Sequence, residues 1–296
     1  MSDTKCAPNV KYQDGSCFTL DVLKDIAIKF NQKHKNKSNH ISVNAPRSEL
    51  IKNINSKMDS KCDDQICWIK ELVNDKLQHD KILSNTFRPI GPDGKYDWLS
   101  TSDINMVMEQ YMKVYDDFAY LGTVPYDFEI IIGLEFSNNH FIENNYKNGR
   151  TKFGMVINLD THDMNGSHWV ALYADLKNNQ VYFFDSAGDK PRKRIRKFVN
   201  RIVKFIYYKL HSEKLDINHV LDNIKKNNNT SIIKKISAID IRHNNVQHQF
   251  GNTECGVYSI NFILRLLEGE SFNDIINNIT LDESMNKNRK IYFRNA

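Results

Sequence analysis

The sequence predicts an α+β fold in two parts: a small helical N-terminal domain over residues 1–84, and a larger domain over 85–296 with a mixed sheet between helices. Three observations predict it. Up to about Leu77 the apolar residues recur at helical spacing. The stretch Asn85–Lys95 then collects Pro89, Gly91, Pro92, Asp93 and Gly94, residues that end regular structure and mark a boundary. Beyond it, strand-like and helix-like runs interleave, which is the α+β pattern.

In the first part, Cys6 and Cys17 flank a turn at Asp14-Gly15-Ser16. Residues 19–33 read as a helix: Thr19 caps it, and Leu20, Leu23, Ile26, Ala27 and Phe30 fall on one face. Lys33–Asn39 is a polar connection. A second helix covers 45–58, with Pro46 in its first turn, where a missing N–H is tolerated, and Leu50, Ile51, Ile54 and Met58 inward. A third runs from Asp64 to about Leu77.

In the second part, Trp98 precedes a helix at about 101–114, and Phe118–Leu121 is strand-like. Val124–Leu134 and Asn138–Asn145 fit no single pattern. Phe153–Leu159 reads as a strand. Gly166–Asp175 is a turn entering a strand, and a second strand at Gln180–Asp185 ends on Ser186-Ala187-Gly188. The linker Leu176–Asn179 is short enough for a hairpin. Pro191–Leu210 is an amphipathic helix with Ile195, Phe198, Val199, Ile202, Val203 and Ile206 inward. Residues 211–230 are a polar, Asn/Lys-rich excursion, Ile236–Arg242 is a strand, and 254–268 is a helix.

Composition bounds the function. With 296 residues, 40% hydrophobic and 11% aromatic, the chain suits a globular protein with a buried core. Apolar runs such as Phe128–Leu134 are far too short to span a bilayer. The start, Met1-Ser2-Asp3-Thr4-Lys5, lacks the apolar region of a signal peptide. Five cysteines is an odd number, which suits a reducing compartment better than a disulfide framework. Cys6-x10-Cys17 and Cys62-x4-Cys67 are poorly spaced for zinc, so no metal is expected, and Cys67 reads as a helix-packing residue. The formal charge of +5 is mild and gives no argument for a nucleic-acid partner. The basic run Lys190–Arg201 reads as the solvated face of its helix.

Chemistry concentrates at the ends of elements. Cys255 sits where a polar loop becomes a helix whose inner face is Val257, Ile260, Ile263, Leu264 and Leu267. Unpaired N–H groups and the helix dipole at that end favour a thiolate. Gly256 removes a side chain next to the sulfur, which would open a path for a substrate. His168 opens one strand of the predicted hairpin and Asp185 closes the other, so the two lie side by side. There a carboxylate holds the tautomer and orientation of an imidazole that serves the thiol as base. Asp160, Asp163 and Asp175 are rivals for the carboxylate; Asp175 lies at the far end of the strand that His168 opens.

These residues carry a resemblance. His168-Trp169, Asp185-Ser186, Gln249 and Cys255-Gly256 resemble the motifs of the SUMO-protease/adenovirus-proteinase group of cysteine peptidases. Asp97-Trp98-Leu99-Ser100 before a helix is similar to that group's Trp-Leu-Asn-Asp segment. Phe184–Gly188 and Asn252–Gly256 look like the Phe-Asn-Ser-Ala-Gly and Gln-Thr-Glu-Cys-Gly segments found in polyprotein-processing proteases of large DNA viruses. That viral branch has asparagine where this chain, like cellular SUMO proteases, has Asp185; either residue accepts a hydrogen bond from imidazole. The resemblance covers roughly residues 85–296.

The resemblance implies a papain-like SUMO-protease catalytic domain with His168, Asp185 and Cys255 in catalysis. Gln249, six positions before Cys255, would donate its side-chain N–H to the oxyanion beside the Cys255 backbone N–H; Gln247 has the wrong spacing. Trp98 and Trp169 would flank a narrow channel that admits a Gly-Gly tail. The implied activity is an endopeptidase cutting after Gly-Gly-type sites, processing viral core or capsid precursors in the virion or the virus factory of the host cytoplasm. It needs protein substrates, no cofactor and no membrane. The same chemistry would serve a deSUMOylase or deubiquitinase acting on host conjugates, and some bacterial effectors use this fold and triad as acetyltransferases.

Overall fold

The structure, a computed structural model, describes residues 6–7, 14–62, 65–73, 87–131, 140–226 and 230–294. The chain divides into two compact units. One comprises the described residues up to Ile90 together with Ile291–Arg294, and the other spans Gly91–Lys290.

In the first unit, helix α1 (Leu20–Lys33) starts where Thr19 accepts the Val22 N–H, and it buries Leu23, Ile26, Ala27 and Phe30. Leu20, expected inward, is exposed. Helix α2 (Arg47–Met58) buries Leu50, Ile51, Ile54 and Met58, with Pro46 one residue before its first turn. Helix α3 (Gln65–Leu72) buries Ile66, Trp68, Ile69 and Leu72. The expected continuation of α3 to Leu77 lies outside the described residues, as does Asn85 at the predicted boundary. Helix α1 packs on both α2 and α3. Gln65 ties the entry turn down: its Oε1 accepts from the Ser16 hydroxyl (2.7 Å) and the Cys17 N–H (3.1 Å), and its Nε2 donates to the Gly15 carbonyl (2.7 Å).

The cysteine reading needs correction. Cys6 is bonded to Cys17 and Cys62 to Cys67, with Cα atoms 4.9 and 5.4 Å apart, and Cys255 alone is free. Setting Cys255 aside leaves four cysteines that pair. The odd total therefore carried no information, because pairing depends on which turns bring the Cα atoms within bonding range. Cys67 is a disulfide partner and not merely a packing residue.

The second unit begins with α4 (Thr101–Tyr111), capped by a reciprocal box of Ser100 and Asp103. Strand β1 (Phe118–Val124) follows, then short helices α5 (Phe128–Ile131) and α6 (His140–Lys147) in the stretches whose pattern was unresolved; residues 132–139 lie outside the described residues. Next come β2 (Lys152–Asn158), β3 (Trp169–Asp175) and β4 (Gln180–Phe184). Helix α7 (Lys193–His211) precedes α8 (Ile217–Lys225) and α9 (Ser231–Ile236). The chain returns through β5 (Asp240–His243) to α10 (Cys255–Leu267), and closes with α11 (Phe272–Asn277), α12 (Asp282–Lys287) and α13 (Arg289–Tyr292).

The sheet runs in the order β1-β2-β3-β4-β5, with parallel outer pairs and antiparallel inner ones. Every residue of β3 is buried, as expected of a central strand covered on both faces. Alternation divides the faces. Phe153, Met155, Ile157, Val170, Leu172, Val181 and Phe183 join Ile195, Phe198, Ile202 and Ile206 of α7 in one core. On the other face α10 packs against β3 and β2, and Phe184 stacks on Phe262 at 4.8 Å. The mixed sheet between helices is as the sequence predicts.

Two local expectations fail. The polar excursion at 211–230 contains α8, started by Asp216, which accepts from the Asn218 and His219 N–H groups. The predicted strand Ile236–Arg242 is instead the end of α9 followed by β5. In α8, Ile217, Val220, Leu221 and Ile224 do keep helical spacing inside an Asn/Lys-rich stretch that reads as a loop, and at β5 pairing with β4 decides. Among the described residues, no helix is long and apolar enough to cross a membrane.

Candidate active site

The hairpin β3–β4 pairs Ala171 with Phe184. The residues just before β3 and just after β4 therefore emerge at one end of the sheet. His168 and Asp185 meet there, with His168 Nε2 2.6 Å from Asp185 Oδ1. The Asp185 side chain is 2% exposed and that of His168 22%. The same Oδ1 accepts the Ala187 N–H at 2.9 Å. The backbone of Asp185 is clamped by Asn244, whose Oδ1 accepts the Asp185 N–H (2.8 Å) and whose Nδ2 donates to the Asp185 carbonyl (2.6 Å). Buried amide-to-backbone bonds of this kind leave the carboxylate little freedom.

The rival carboxylates are engaged elsewhere. Asp175 accepts from Lys177, Asn178 and the Asn178 side chain in the hairpin turn. Asp160 takes the Ser167 hydroxyl and Asp163 the Thr161 hydroxyl.

Cys255 is the first residue of α10 and is 4% exposed. The cap position is Glu254, and its carboxylate does not bond the helix N–H groups. It turns instead to Arg289 (2.9 and 3.1 Å) and to Asn286 Nδ2 (2.9 Å). This buried ion pair fixes the residue before Cys255 while leaving the positive end of the helix without a side-chain cap. His168 is hydrogen-bonded to Asp185, and Cys255 lies close enough to act on its charge. Burial opposes a charged imidazole here, but Asp185 and Cys255 outweigh it and raise the His168 pKa to about 10. At neutral pH the imidazole is thus a cation facing the sulfur, which is the partner a thiolate nucleophile requires.

Gly256 does something other than expected. A Cβ there would stand 3.0 Å from Leu99 Cβ and 3.2 Å from Leu99 Cδ1. Its missing side chain makes room for the Leu99 segment against α10, and opens no substrate path.

Gln249 is 7% exposed. Its Oε1 accepts from the Ser186 hydroxyl (2.7 Å), and its Nε2 donates to the Gly251 carbonyl (3.0 Å). A hydroxyl donating to the amide oxygen sets which way the amide faces. The Ser186 carbonyl also accepts the His248 and Gln249 N–H groups at 2.8 and 2.9 Å. Gly188, at φ +83°, permits this approach, since a Cβ there would lie 3.0 Å from backbone atoms of Val246 and Gln247. Gln247 donates to the Gln249 carbonyl at 2.8 Å and so supports the loop. Farther along, Asp282 Oδ2 accepts from Phe250 (2.9 Å) and Gly251 (2.7 Å), and the Tyr258 hydroxyl bonds Asp282 and the His248 carbonyl.

A cleft of about 490 Å³ adjoins His168, lined among others by Trp98, Leu99, Asn158, Met164, Ser167 and Trp169. Trp98 is 50% exposed, whereas Trp169 is 8% exposed and donates its indole N–H to the Leu99 carbonyl at 2.9 Å. The two tryptophans thus differ: one presents its ring to solvent, and the other ties down the segment that carries it. Sequence reasoning missed Asn244, Ser186 as the amide anchor, Asp282 and the Glu254–Arg289 pair. Only Ser186 and Glu254, inside the segments that carry the resemblance, left a signal.

Comparison with known proteins identifies the family. A profile of the Ulp1 protease family, C-terminal catalytic domain, matches residues 155–295. A putative thiol protease of Acanthamoeba polyphaga mimivirus is 30% identical over 96% of this chain and 90% of its own length. A SUMO-1 cysteine protease of African swine fever virus is 26% identical over 84% of this chain and 89% of its own. In fold, the crystal structure of an African swine fever virus protease matches over 100% of this chain and 98% of its own, with a TM-score of 0.61 at 21% identity. The chain belongs to the Ulp1 protease family and is a cysteine-type peptidase.

Proposed function

We propose that this chain is an endopeptidase that cuts protein precursors after paired glycines, with Cys255 as nucleophile. The observation that carries the reading is the His168–Asp185 contact of 2.6 Å, on an imidazole whose proton is also favoured by Cys255. In the first step the Cys255 sulfur attacks the scissile carbonyl carbon. Negative charge on the carbonyl oxygen is met by the Cys255 backbone N–H and the Gln249 amide N–H. The carbon–nitrogen bond then breaks as imidazolium His168 gives its proton to the leaving amine, leaving a thioester on Cys255. Neutral His168 next takes a proton from water, which attacks the thioester carbon and releases the acid and the thiolate. Asp185 accepts from the ring and holds its orientation throughout.

Trp98 and Trp169 both line the cleft beside His168, and a channel narrowed by their rings would leave space for backbone and little else. The viral relatives support a structural precursor of a virus as substrate. The domain reading follows the same line: residues 85–296 carry the chemistry, and residues 1–84 dock the precursor.

The test is kcat/KM on matched peptides with Gly-Gly, Gly-Ala or Ala-Gly before the cut, with Cys255→Ala as control. Overpacking a rigid site costs about 1–3 kcal/mol, so either alanine should reduce the rate roughly tenfold to a hundredfold. Cys255→Ala should abolish cleavage and keep the fold. Cleavage by Cys255→Ala, or equal rates on all three peptides, would overturn the assignment. Parallel assays on ubiquitin-like conjugates ending in Gly-Gly distinguish precursor processing from deconjugation.

A further inference from the structure

We infer that Asn158 is a substrate-binding residue whose side-chain N–H donates to a backbone carbonyl of the substrate on the acyl side of the scissile bond. The inference rests on the peptidase reading and names how the cleft grips its chain. Asn158 ends β2, pairs with Trp169 across the sheet, and is 8% exposed. Its Oδ1 accepts two backbone N–H groups, from Asp160 at 2.9 Å and from Ser167 at 3.3 Å. Two donors on one atom fix the amide, so the oxygen faces the loop and Nδ2 faces the other way. Nδ2 has no hydrogen-bond partner among the described residues, although Asn158 lines the cleft.

Four hydroxyls of the cleft are engaged within the protein. Ser100 and Asp103 bond each other, Thr123 bonds Tyr120, Thr161 bonds Asp163, and Ser167 bonds Asp160. His162 likewise holds Asp127 at 2.7 Å. The side chain is nearly buried, its oxygen is used, and its N–H is left for a partner that enters the cleft. The surroundings also keep it open. Gly166, at φ +86°, lies against the amide, and a Cβ there would stand 2.9 Å from Nδ2.

The chemistry of the ligand follows. A neutral N–H seeks an acceptor. A tail whose last residues are glycines offers no side chain, so an enzyme selecting it must read backbone carbonyls. Nδ2 of Asn158, in the cleft that holds Trp98, Trp169 and His168, is placed to read one.

The test is Asn158→Asp. Aspartate keeps an oxygen for the Asp160 and Ser167 N–H groups and replaces the outward N–H with a charged acceptor. The variant should keep its melting temperature, and its Cys255 should react with iodoacetamide at the wild-type rate, because that reagent needs no cleft. Its kcat/KM on a capped Gly-Gly peptide should fall roughly tenfold or more. A peptide in which that carbonyl is reduced to methylene should be handled alike by both proteins. Unchanged kcat/KM would overturn the proposal, and so would a parallel loss of iodoacetamide reactivity, which would place Asn158 behind the catalytic pair. Binding of a fluorescent capped peptide to Cys255→Ala, with and without Asn158→Asp, separates the two readings. If wild type cuts no peptide the peptidase reading fails. Weaker binding when Asn158→Asp is added to Cys255→Ala, a protein that cannot turn over, still supports the Asn158 contact, and equal binding refutes it.

Discussion

Replacing Asp185 by asparagine removes a charge and almost nothing else. His168 Nε2 and the Ala187 N–H both bond the same Asp185 oxygen, Oδ1. An asparagine carbonyl can accept both, and the Asn244 clamp acts on the backbone of residue 185 and is untouched. The ring should therefore keep its orientation. Its proton affinity should not. With Asp185 present the imidazole is held protonated to about pH 10 by Asp185 and Cys255 against burial. Removing an opposite charge in contact lowers such a value by about 1 to 3, to between roughly 7 and 9, with the Cys255 contribution remaining. Catalysis needs the imidazolium to protonate the leaving amine, so activity is lost as pH rises through the His168 value. The variant should retain much of its kcat/KM at pH 6.5 and lose about tenfold more than wild type by pH 9. The assay is kcat/KM on one capped peptide across pH 5.5–10.5. An alkaline limb still near 10 would show that Asp185 is not the charge that holds the proton. Uniform loss at every pH would show that geometry needs a carboxylate. Stability follows the same sign. Because the folded-state value lies above the ordinary 6.5, the stabilisation from His168 is full below that pH and fades as pH approaches 10. Thermal unfolding against pH should show that slope weakened in Asp185→Asn.

Three further outcomes are expected. Gln249→Ala should lower kcat by about a hundredfold to a thousandfold, Ser186→Ala by less, and the double variant no further than Gln249→Ala, since Ser186 acts only by orienting Gln249; an additive double variant would refute this. Glu254→Leu and Arg289→Met should each cost about 3–5 kcal/mol in urea unfolding by stranding a buried charge, and the pair combined should recover much of it; singles near zero would show the pair to be solvated. Closing the short loop between Cys6 and Cys17, separated by 11 positions, should contribute about 2–3 kcal/mol. Dithiothreitol, or serine at both positions, should then lower the first thermal transition, and an unchanged melt would show that the bond adds nothing.

Some of this was written in the sequence alone. The stripes of α1, α2, α7 and α10, the hairpin β3–β4, and the positions of His168 and Cys255 at element ends were all legible. Each depends on residues within a few turns or one hairpin, where spacing reports which side chains share a face. What the sequence could not decide is which distant polar group answers which. Asn244 holds Asp185 from 59 positions away, Ser186 turns Gln249 from 63, and Arg289 neutralises Glu254 from 35. The two disulfides and the packing of Leu99 on Gly256 are of the same kind. So is the unpartnered amide of Asn158, which is defined by what its neighbours do with their own hydrogen bonds. Helix α8 stayed hidden although Ile217, Val220, Leu221 and Ile224 mark its period, because the Asn- and Lys-rich composition around it reads as a loop. Hydrophobic periodicity is a local property that the chain displays before it folds. The pairing of single polar atoms is not periodic, and it exists only once packing has brought the elements together and excluded water from between them.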